Sequence, residues 1–379
     1  MENPRTIIDL PFEVLDLIFK ELQCLKDKVN LAQTHDRLGK AFAFHSRNEF
    51  RTLTLSTAIA DESWAFLVQE CGTSIEELDC ERASSHWHEF IADSIVKHCL
   101  NLKSVSTEFS EDNSASIMSF LGKIKNSLLA LKLMQRYSRE NELSSEILKV
   151  LCEISQLKRL SLCYLYPDEN VHYIQTCVAL EKLKLDNYGM LERHTVNLQQ
   201  ICAPLKNLRE LSVSNFEILP FEDSNSSIWA RLETLELIQC DYPEIPYCPQ
   251  LKSLNIYYTF HCFIDDYGLE LILKNGRNLE TLYEECDPPL DADDYFRVLR
   301  ACPKLRHFHA TMDYMELSPE YMSTILGILK DNGVTREDRF ELVITSNYNW
   351  DCTRELLRLD PDAELIDLYK EFDKLLVLT

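Results

Sequence analysis

The chain has 379 residues, 45% apolar and 27% charged, a globular composition with ample material for a core. Asp and Glu outnumber Lys and Arg by 62 to 39, and the formal charge of −23 repels phosphate backbones. Nucleic acid and anionic membrane are thereby excluded as expected partners, and a basic or neutral protein is favoured.

The first patterned segment is residues 9 to 22. Pro11 suits a first helical turn, where its missing N–H costs nothing. Val14, Leu15, Ile18, Phe19 and Leu22 then recur at helical spacing. A second apolar run holds Val29, Leu31, Ala32 and Leu38, and a third spans 41 to 50. Two or three short helices bury little surface, so the spare apolar face must be covered by the rest of the chain, by another protein, or by both.

The spacing Leu10-Pro11-x-Glu13-Val14-Leu15-x-x-Ile18-Phe19-x-x-Leu22 resembles the F-box signature over roughly residues 7 to 48. That resemblance implies an all-α module at 1–48 that binds the Skp-type adaptor of a cullin-based (SCF) ubiquitin ligase. It also implies adaptor-facing roles for Leu10, Pro11, Leu15, Ile18, Leu22, Val29 and Leu31. The second half departs from the family pattern. Members often carry a basic pair and a Trp there, where this chain has His35, Asp36, Arg37 and Leu38.

From residue 50 onward the pattern apolar-x-x-apolar-x-apolar repeats. Copies begin at Phe50, Ile75, Leu102, Leu128, Leu157, Leu180, Leu208, Leu232, Leu251, Leu279 and Leu305, about 26 residues apart. The last four positions alternate with the period of a strand, two apolar residues inward and their neighbours outward. Helix-sized runs at 115–124, 144–154, 266–274, 291–299 and 319–330 separate copies. The expected fold is an α/β leucine-rich-repeat solenoid of about 11 or 12 repeats over 49–345, a parallel sheet on the concave side and helices on the convex side. A last copy is expected at Phe340, with Leu342 and Ile344 inward. A helical cap is expected over 346–379.

Cys99, Cys177, Cys248 and Cys302 each precede the first Leu of a copy by three residues, and Cys202 precedes Leu205 likewise. The reading is a column of small buried fillers, since metal ligands must converge. This texture resembles the cysteine-containing repeats of many F-box proteins over most of 50 to 312. Asn or Cys is common three residues past the last apolar position in such repeats, and Ser110, Cys240 and Thr259 stand there in this chain.

Catalytic chemistry is not expected. Eight Gly leave little room for a phosphate loop. His86-Trp87-His88 lacks a third ligand at a matching spacing, and Asp291-Ala-Asp293-Asp294 lacks the Gly and terminal Glu of a calcium loop. His261 and Cys262 would face opposite sides of a strand. No catalytic residue, metal or cofactor is assigned. No apolar run approaches the ~18 residues of a spanning helix, and the first six residues show no secretory pattern. Fourteen Cys in such a chain indicate reduced thiols and a cytoplasmic or nuclear location.

The register also names the outward residues. Glu77, Asp79, Glu81, Ser104, Ser106 and Glu108 give an acidic start, and Lys132, Arg159, Lys182 and Lys184 a basic middle able to pair with a phosphate. Glu210, Glu236, Tyr257, Tyr283, Glu285, His307 and His309 give an acidic, aromatic end. Within this stripe the target-binding candidates are Glu236, Tyr257, Tyr283, Glu285, His307 and His309, with Lys182 and Lys184. Tyr supplies contact area at small entropic cost, which favours Tyr257, Tyr283, Glu236 and Glu285 among them. The expected function is a substrate receptor of an SCF-type ubiquitin ligase, linked through the adaptor to a cullin. The alternative is a leucine-rich-repeat interaction scaffold without a ligase.

Overall fold

The computed structural model describes residues 6–55, 60–81, 89–135, 143–164, 171–187, 194–221, 229–242, 244–257, 267–285, 290–312 and 317–370. Its contacts divide the chain into two compact units, Met1–Leu180 and Glu181–Thr379.

The first unit opens with helices α1 (Phe12–Glu21), α2 (Leu25–Gln33) and α3 (Asp36–Ser46). Pro11 stands at the N-cap of α1, and its carbonyl accepts from the N–H groups of Val14 and Leu15. Leu15 and Phe19, Val29 and Ala32, and Leu38, Ala41 and Phe42 bury against one another as a small core. The Phe42 ring lies 5.6 Å from Phe19 and 6.0 Å from Phe50, so this core continues into the first repeat. One imidazole ties all three helices. His45 Nδ1 meets Asp16 Oδ1 of α1 at 2.7 Å, and its Nε2 meets Lys28 Nζ of α2 at 3.2 Å. Lys28 donating to Nε2 fits the neutral ring with the proton on Nδ1.

Among the described residues this unit then has five parallel strands, neighbours in chain order: β1 (Thr52–Thr54), β2 (Glu77–Cys80), β3 (Ser104–Phe109), β4 (Ala130–Gln135) and β5 (Arg159–Cys163). Each starts two residues after the first apolar residue of its copy. Helices α4 (Asp61–Cys71), α5 (Glu89–His98), α6 (Ser114–Ile124) and α7 (Leu143–Leu148) connect them, and α8 (Val171–Gln175) follows β5.

The second unit continues the pattern. Its strands are β6 (Lys182–Asp186), β7 (His194–Val196), β8 (Glu210–Ser214), β9 (Phe216–Ile218), β10 (Thr234–Ile238), β11 (Ser253–Tyr257), β12 (Thr281–Glu285), β13 (His307–Ala310), β14 (Phe340–Ile344) and β15 (Ile366–Lys370). Its helices are α9 (Leu198–Cys202), α10 (Tyr267–Asn275), α11 (Ala292–Ala301), α12 (Pro319–Asp331) and α13 (Asn347–Leu357). Strands β6, β8 and β10 to β15 form one parallel run, and β7 and β9 a small separate pair. The shortest step in the sequence, Leu232 to Leu251, has no helix among its described residues.

Register explains the core. Leu183, Leu211, Leu235, Leu254, Leu282, Phe308 and Leu342 are Cα partners in succession, and all are buried. Each such side chain contributes roughly 1.5–3 kcal/mol relative to exposure. Leu342 and Ile344 are buried as expected from the last copy.

The cysteine column has a second role in the backbone. The N–H of Leu102, Leu180, Leu251 and Leu305 donates to the carbonyl of Cys99, Cys177, Cys248 and Cys302 at 3.0–3.2 Å, closing the turn that leads into the strand. Burial pushes these thiols up, Cys177 to about 11 and Cys99, Cys202, Cys248 and Cys302 to about 12. Two repeats carry Gly at this position, Gly72 and Gly276, and close packing explains why. A Cβ on Gly276 would stand 2.7 Å from Cys302 Sγ and 2.8 Å from the Ala301 carbonyl oxygen.

Two expectations are corrected. The expected helical cap over 346–379 is not all helix: among the described residues it holds α13 and a one-turn 3-10 helix at Ala363–Leu365. Ile366–Lys370 is a further parallel strand, with Leu342 opposite Leu368, because its apolar residues alternate with period two. The turn ladder runs one position earlier than expected in the repeat that starts at Leu208. Asn187 and Asn215 are buried, Asn215 is left-handed (φ 61°), and its Nδ2 donates to the Asn187 carbonyl at 2.9 Å. Asn tolerates that region better than other non-Gly residues. Cys240 ladders at the expected position, its Sγ donating to the Val213 carbonyl at 3.2 Å. Thr259, His86 to His88, His261 and Cys262 lie outside the described residues.

Gly276→Ala should lower stability by about 1–3 kcal/mol through overpacking. Gly327→Ala, exposed inside α12 with nothing near its would-be Cβ, should raise it by about 0.5–1 kcal/mol. Denaturant midpoints of the two variants test this opposition of sign. Native thiol labelling at neutral pH should modify the exposed Cys24 and Cys152 quickly, and the nine buried cysteines among those described only on unfolding.

Candidate interaction surfaces

The N-terminal module buries one side of α1 and leaves another open. Leu15 and Val29 are 0% exposed and belong to the internal core, so their predicted adaptor-facing role is corrected to a structural one. Leu10, Ile18, Leu22 and Leu31 are half-buried and Pro11 is exposed. Helical spacing puts Val14, Ile18 and Leu22 in one line with Leu17 beside it. Leu17 is 59% exposed and Val14 38%.

A second exposed cluster was not legible in the sequence. Phe12 of α1 and Phe44 of α3 stand 6.4 Å apart, with Arg37 5.3 Å over the first ring and Arg47 4.4 Å over the second. Arg37 also donates to the Leu10 carbonyl at 2.9 Å, fixing the entry to α1. His35, which departs from the family pattern, caps α3 by accepting from the Arg37 N–H at 3.1 Å.

On the open face of the strands, the expected basic middle carries internal counter-ions. Lys132 meets Glu81 at 2.7 Å, Lys182 meets Glu210 at 2.7 Å, and Lys184 meets Asp186 at 3.4 Å. The Ser106 hydroxyl also donates to Glu81. These contacts oppose the expected phosphate pairing by those lysines, whose charge is already compensated.

The structure gathers the remaining candidates. Glu236, Tyr257, Tyr283 and Glu285, with His307 and His309, occupy outward positions on the adjacent strands β10 to β13. The Tyr283 ring lies 6.2 Å from Tyr257 and 4.0 Å from His309. Its hydroxyl is 3.5 Å from Glu285 Oε2. Glu236 accepts from the Ser212 hydroxyl and, at 2.9 Å, from Asn255 Nδ2, which orients the carboxylate. His307 Nδ1 lies 2.9 Å from Glu341 Oε2.

Beneath this face sits a buried polar group that the repeat pattern missed. Glu284 takes the inward position that Ile256 holds on β11 and Ala310 on β13, and is 0% exposed. The Tyr295 hydroxyl of α11 donates to Glu284 Oε2 at 2.9 Å and accepts from the Met312 N–H at 3.0 Å. The Thr311 hydroxyl donates to the Glu284 carbonyl at 3.0 Å. Burial, and then the Glu284 charge, hold the Tyr295 hydroxyl well above the ordinary phenol range. The only sequence signal was a Glu at the sixth position of the copy starting at Leu279.

Asp291 and Asp294 form a capping box at the start of α11, the helix-terminus role expected of acids there. Among the described residues no group of three or more His, Cys, Asp or Glu could hold a metal, and no helix is long and apolar enough to cross a membrane.

No family model matches the sequence, and no curated protein matches it. Solved structures do. A chain of the Rad7–Elc1 complex from yeast aligns over 89% of this chain and 89% of its own, with TM-score 0.54 and 16% identity. An internalin of Listeria monocytogenes aligns over 84% of this chain and 97% of its own, with TM-score 0.42 and 11% identity. A leucine-rich-repeat protein of Leptospira interrogans aligns over 92% and 93%, with TM-score 0.40 and 15% identity. With the strand register and the parallel pairing, the likeness at TM-score 0.54 defines the class: the protein has a leucine-rich-repeat fold, preceded by a small helical module.

Tyr295→Phe removes a donor to Glu284 and the acceptor of the Met312 N–H. It should cost about 1–3 kcal/mol, far more than a surface Tyr→Phe change. Chemical denaturation of Tyr295→Phe beside Tyr247→Phe, whose ring is exposed, checks the difference.

Proposed function

We propose that the chain is the substrate-recognition subunit of an SCF-type ubiquitin ligase. In this role the helices of 1–48 bind a Skp-type adaptor, and through it a cullin, while the repeats hold a target protein. The observation that carries the reading is the apolar belt of Val14, Leu17 and Ile18 with Phe12 and Phe44, left open on a module that already has its own core. Such a belt on so small a module is suited to a partner. The Leu10-Pro11-x-Glu13 start supports the same reading, as does the fold likeness to a chain solved in the Rad7–Elc1 complex.

The chain contributes no catalytic group in this role. It raises the effective concentration of the target's lysines at a separate catalytic subunit. The work takes place in the cytoplasm or nucleus, where thiols stay reduced.

Co-purification with a Skp-type adaptor tests the proposal. The wild type should retain the adaptor. Val14→Asp with Leu17→Asp should reduce retention at least about tenfold with an unchanged melting temperature, because both side chains lie outside the core. Leu10→Ala with Pro11→Ala should weaken it as well. A wild-type chain that fails to retain the adaptor would leave a leucine-rich-repeat scaffold without a ligase role.

A further inference from the structure

We propose that the open face of β10 to β14 binds an arginine-bearing basic segment of the target, with one guanidinium stacked on Tyr283 beside Glu285 and a second paired to Glu236. The inference rests on reading that face as the target platform, and it names the chemistry the platform selects.

Three observations converge on it. The first is the aromatic shelf. Tyr257, Tyr283 and His309 lie on three successive strands, Tyr283 directly opposite His309 and diagonal to Tyr257, with ring separations of 4.0 and 6.2 Å, all half-buried. A shelf of this kind takes a planar cation better than a compact ammonium. The second is sign. Strands β10, β11, β12, β13 and β14 contain no Lys or Arg, while their outward positions carry Glu236, Glu285 and Glu341. Farther along the same unit, the lysines of β6 already meet Glu210 and Asp186, so the negative sign is concentrated where the rings are.

The third is orientation. Glu236 is held by Ser212 and Asn255, one at each carboxylate oxygen. A carboxylate accepts about four hydrogen bonds, so both oxygens keep capacity for a guanidinium fork. Asn255 lies between Glu236 and Tyr283 in the row, which places the carboxylate and the ring two strands, about 9–10 Å, apart. An extended basic segment laid across the strands spans that distance. An acidic or phosphorylated segment would face three carboxylates with no Lys or Arg on these strands.

Fluorescence anisotropy on the full chain, with a labelled peptide of Arg in a Gly-Ser background, tests the proposal. The net charge of the protein attracts any basic peptide, so the deciding variant is uncharged. Tyr283→Ala should weaken binding about tenfold and Tyr283→Phe about twofold or less. Glu236→Gln should also cost about tenfold, whereas Glu320→Gln on α12 should change little. A Lys-for-Arg peptide should bind several-fold more weakly. Equal affinity in wild type and Tyr283→Ala overturns the proposal. So does equal weakening by Glu320→Gln, preference for a Glu-for-Arg peptide, or sedimentation showing the face covered by a second copy. Val14→Asp with Leu17→Asp should leave peptide binding intact, so loss of the adaptor reading and loss of this one are told apart.

Discussion

The structure depends on one constraint: the inward side chain of each strand must be covered by its equivalent on the next. Leu183, Leu211, Leu235, Leu254 and Leu282 meet this by standing opposite one another, and no single repeat could bury its own. A slip of one residue anywhere would turn a leucine outward and its polar neighbour inward. Register is therefore set by burial. The outward rows follow from it without any interaction of their own, which is why Tyr257, Tyr283 and His309 come together from three separate repeats.

Charge reports the same register at the rim of the sheet. Just before the strands of the second unit, Arg209, Glu233, Lys252, Glu280 and Arg306 alternate in sign. Lys252 and Arg209 both reach Glu233, at 2.9 and 2.7 Å, and hold its carboxyl below the usual range. In the first unit Arg51 and Lys103 do the same to Glu76. Such exposed pairs add little stability singly. Their support is present above the ordinary carboxyl value of 4.5 and is lost as pH falls below it, because the lowered pKa must be crossed to protonate them. Their larger value is that a mispaired strand would set like charges side by side.

How much of this was legible follows from the period of each signal. Inward positions repeat, so Leu342 and Ile344 could be assigned from spacing alone. Features that occur once could not. Glu284 breaks the apolar rule, and its partner Tyr295 comes from a helix eleven residues on. The strand Ile366–Lys370 has too few alternating positions to stand out from the helix before it. At the N-terminus the stripe of α1 gave the helix but not its facing. Leu15 and Val29 look equivalent to Ile18 and Leu31 in the sequence, and only the packing of α2 and α3 sends the first pair inside. The outward position of the basic-middle lysines follows from the repeat register, whereas their counter-ions Glu81, Glu210 and Asp186 follow only from distances.

Buried polarity under the aromatic shelf bears on how the surface works. Glu284 lies in the same strand as Tyr283 and Glu285, and the Tyr295 hydroxyl joins it to the Met312 N–H at the turn after β13. An apolar residue at 284 would fill the position but would not fix that turn, whose Met312 is left-handed at φ 47°. A directional bond from the core therefore does locally what leucine stacking cannot, which is to set the end of β13 relative to the end of β12. The rows above inherit that rigidity. A stacking surface gains affinity when its rings lose little freedom on binding, so under the proposed reading of this face the polar exception in the core would serve the aromatic row outside it by holding the ends of β12 and β13 in place.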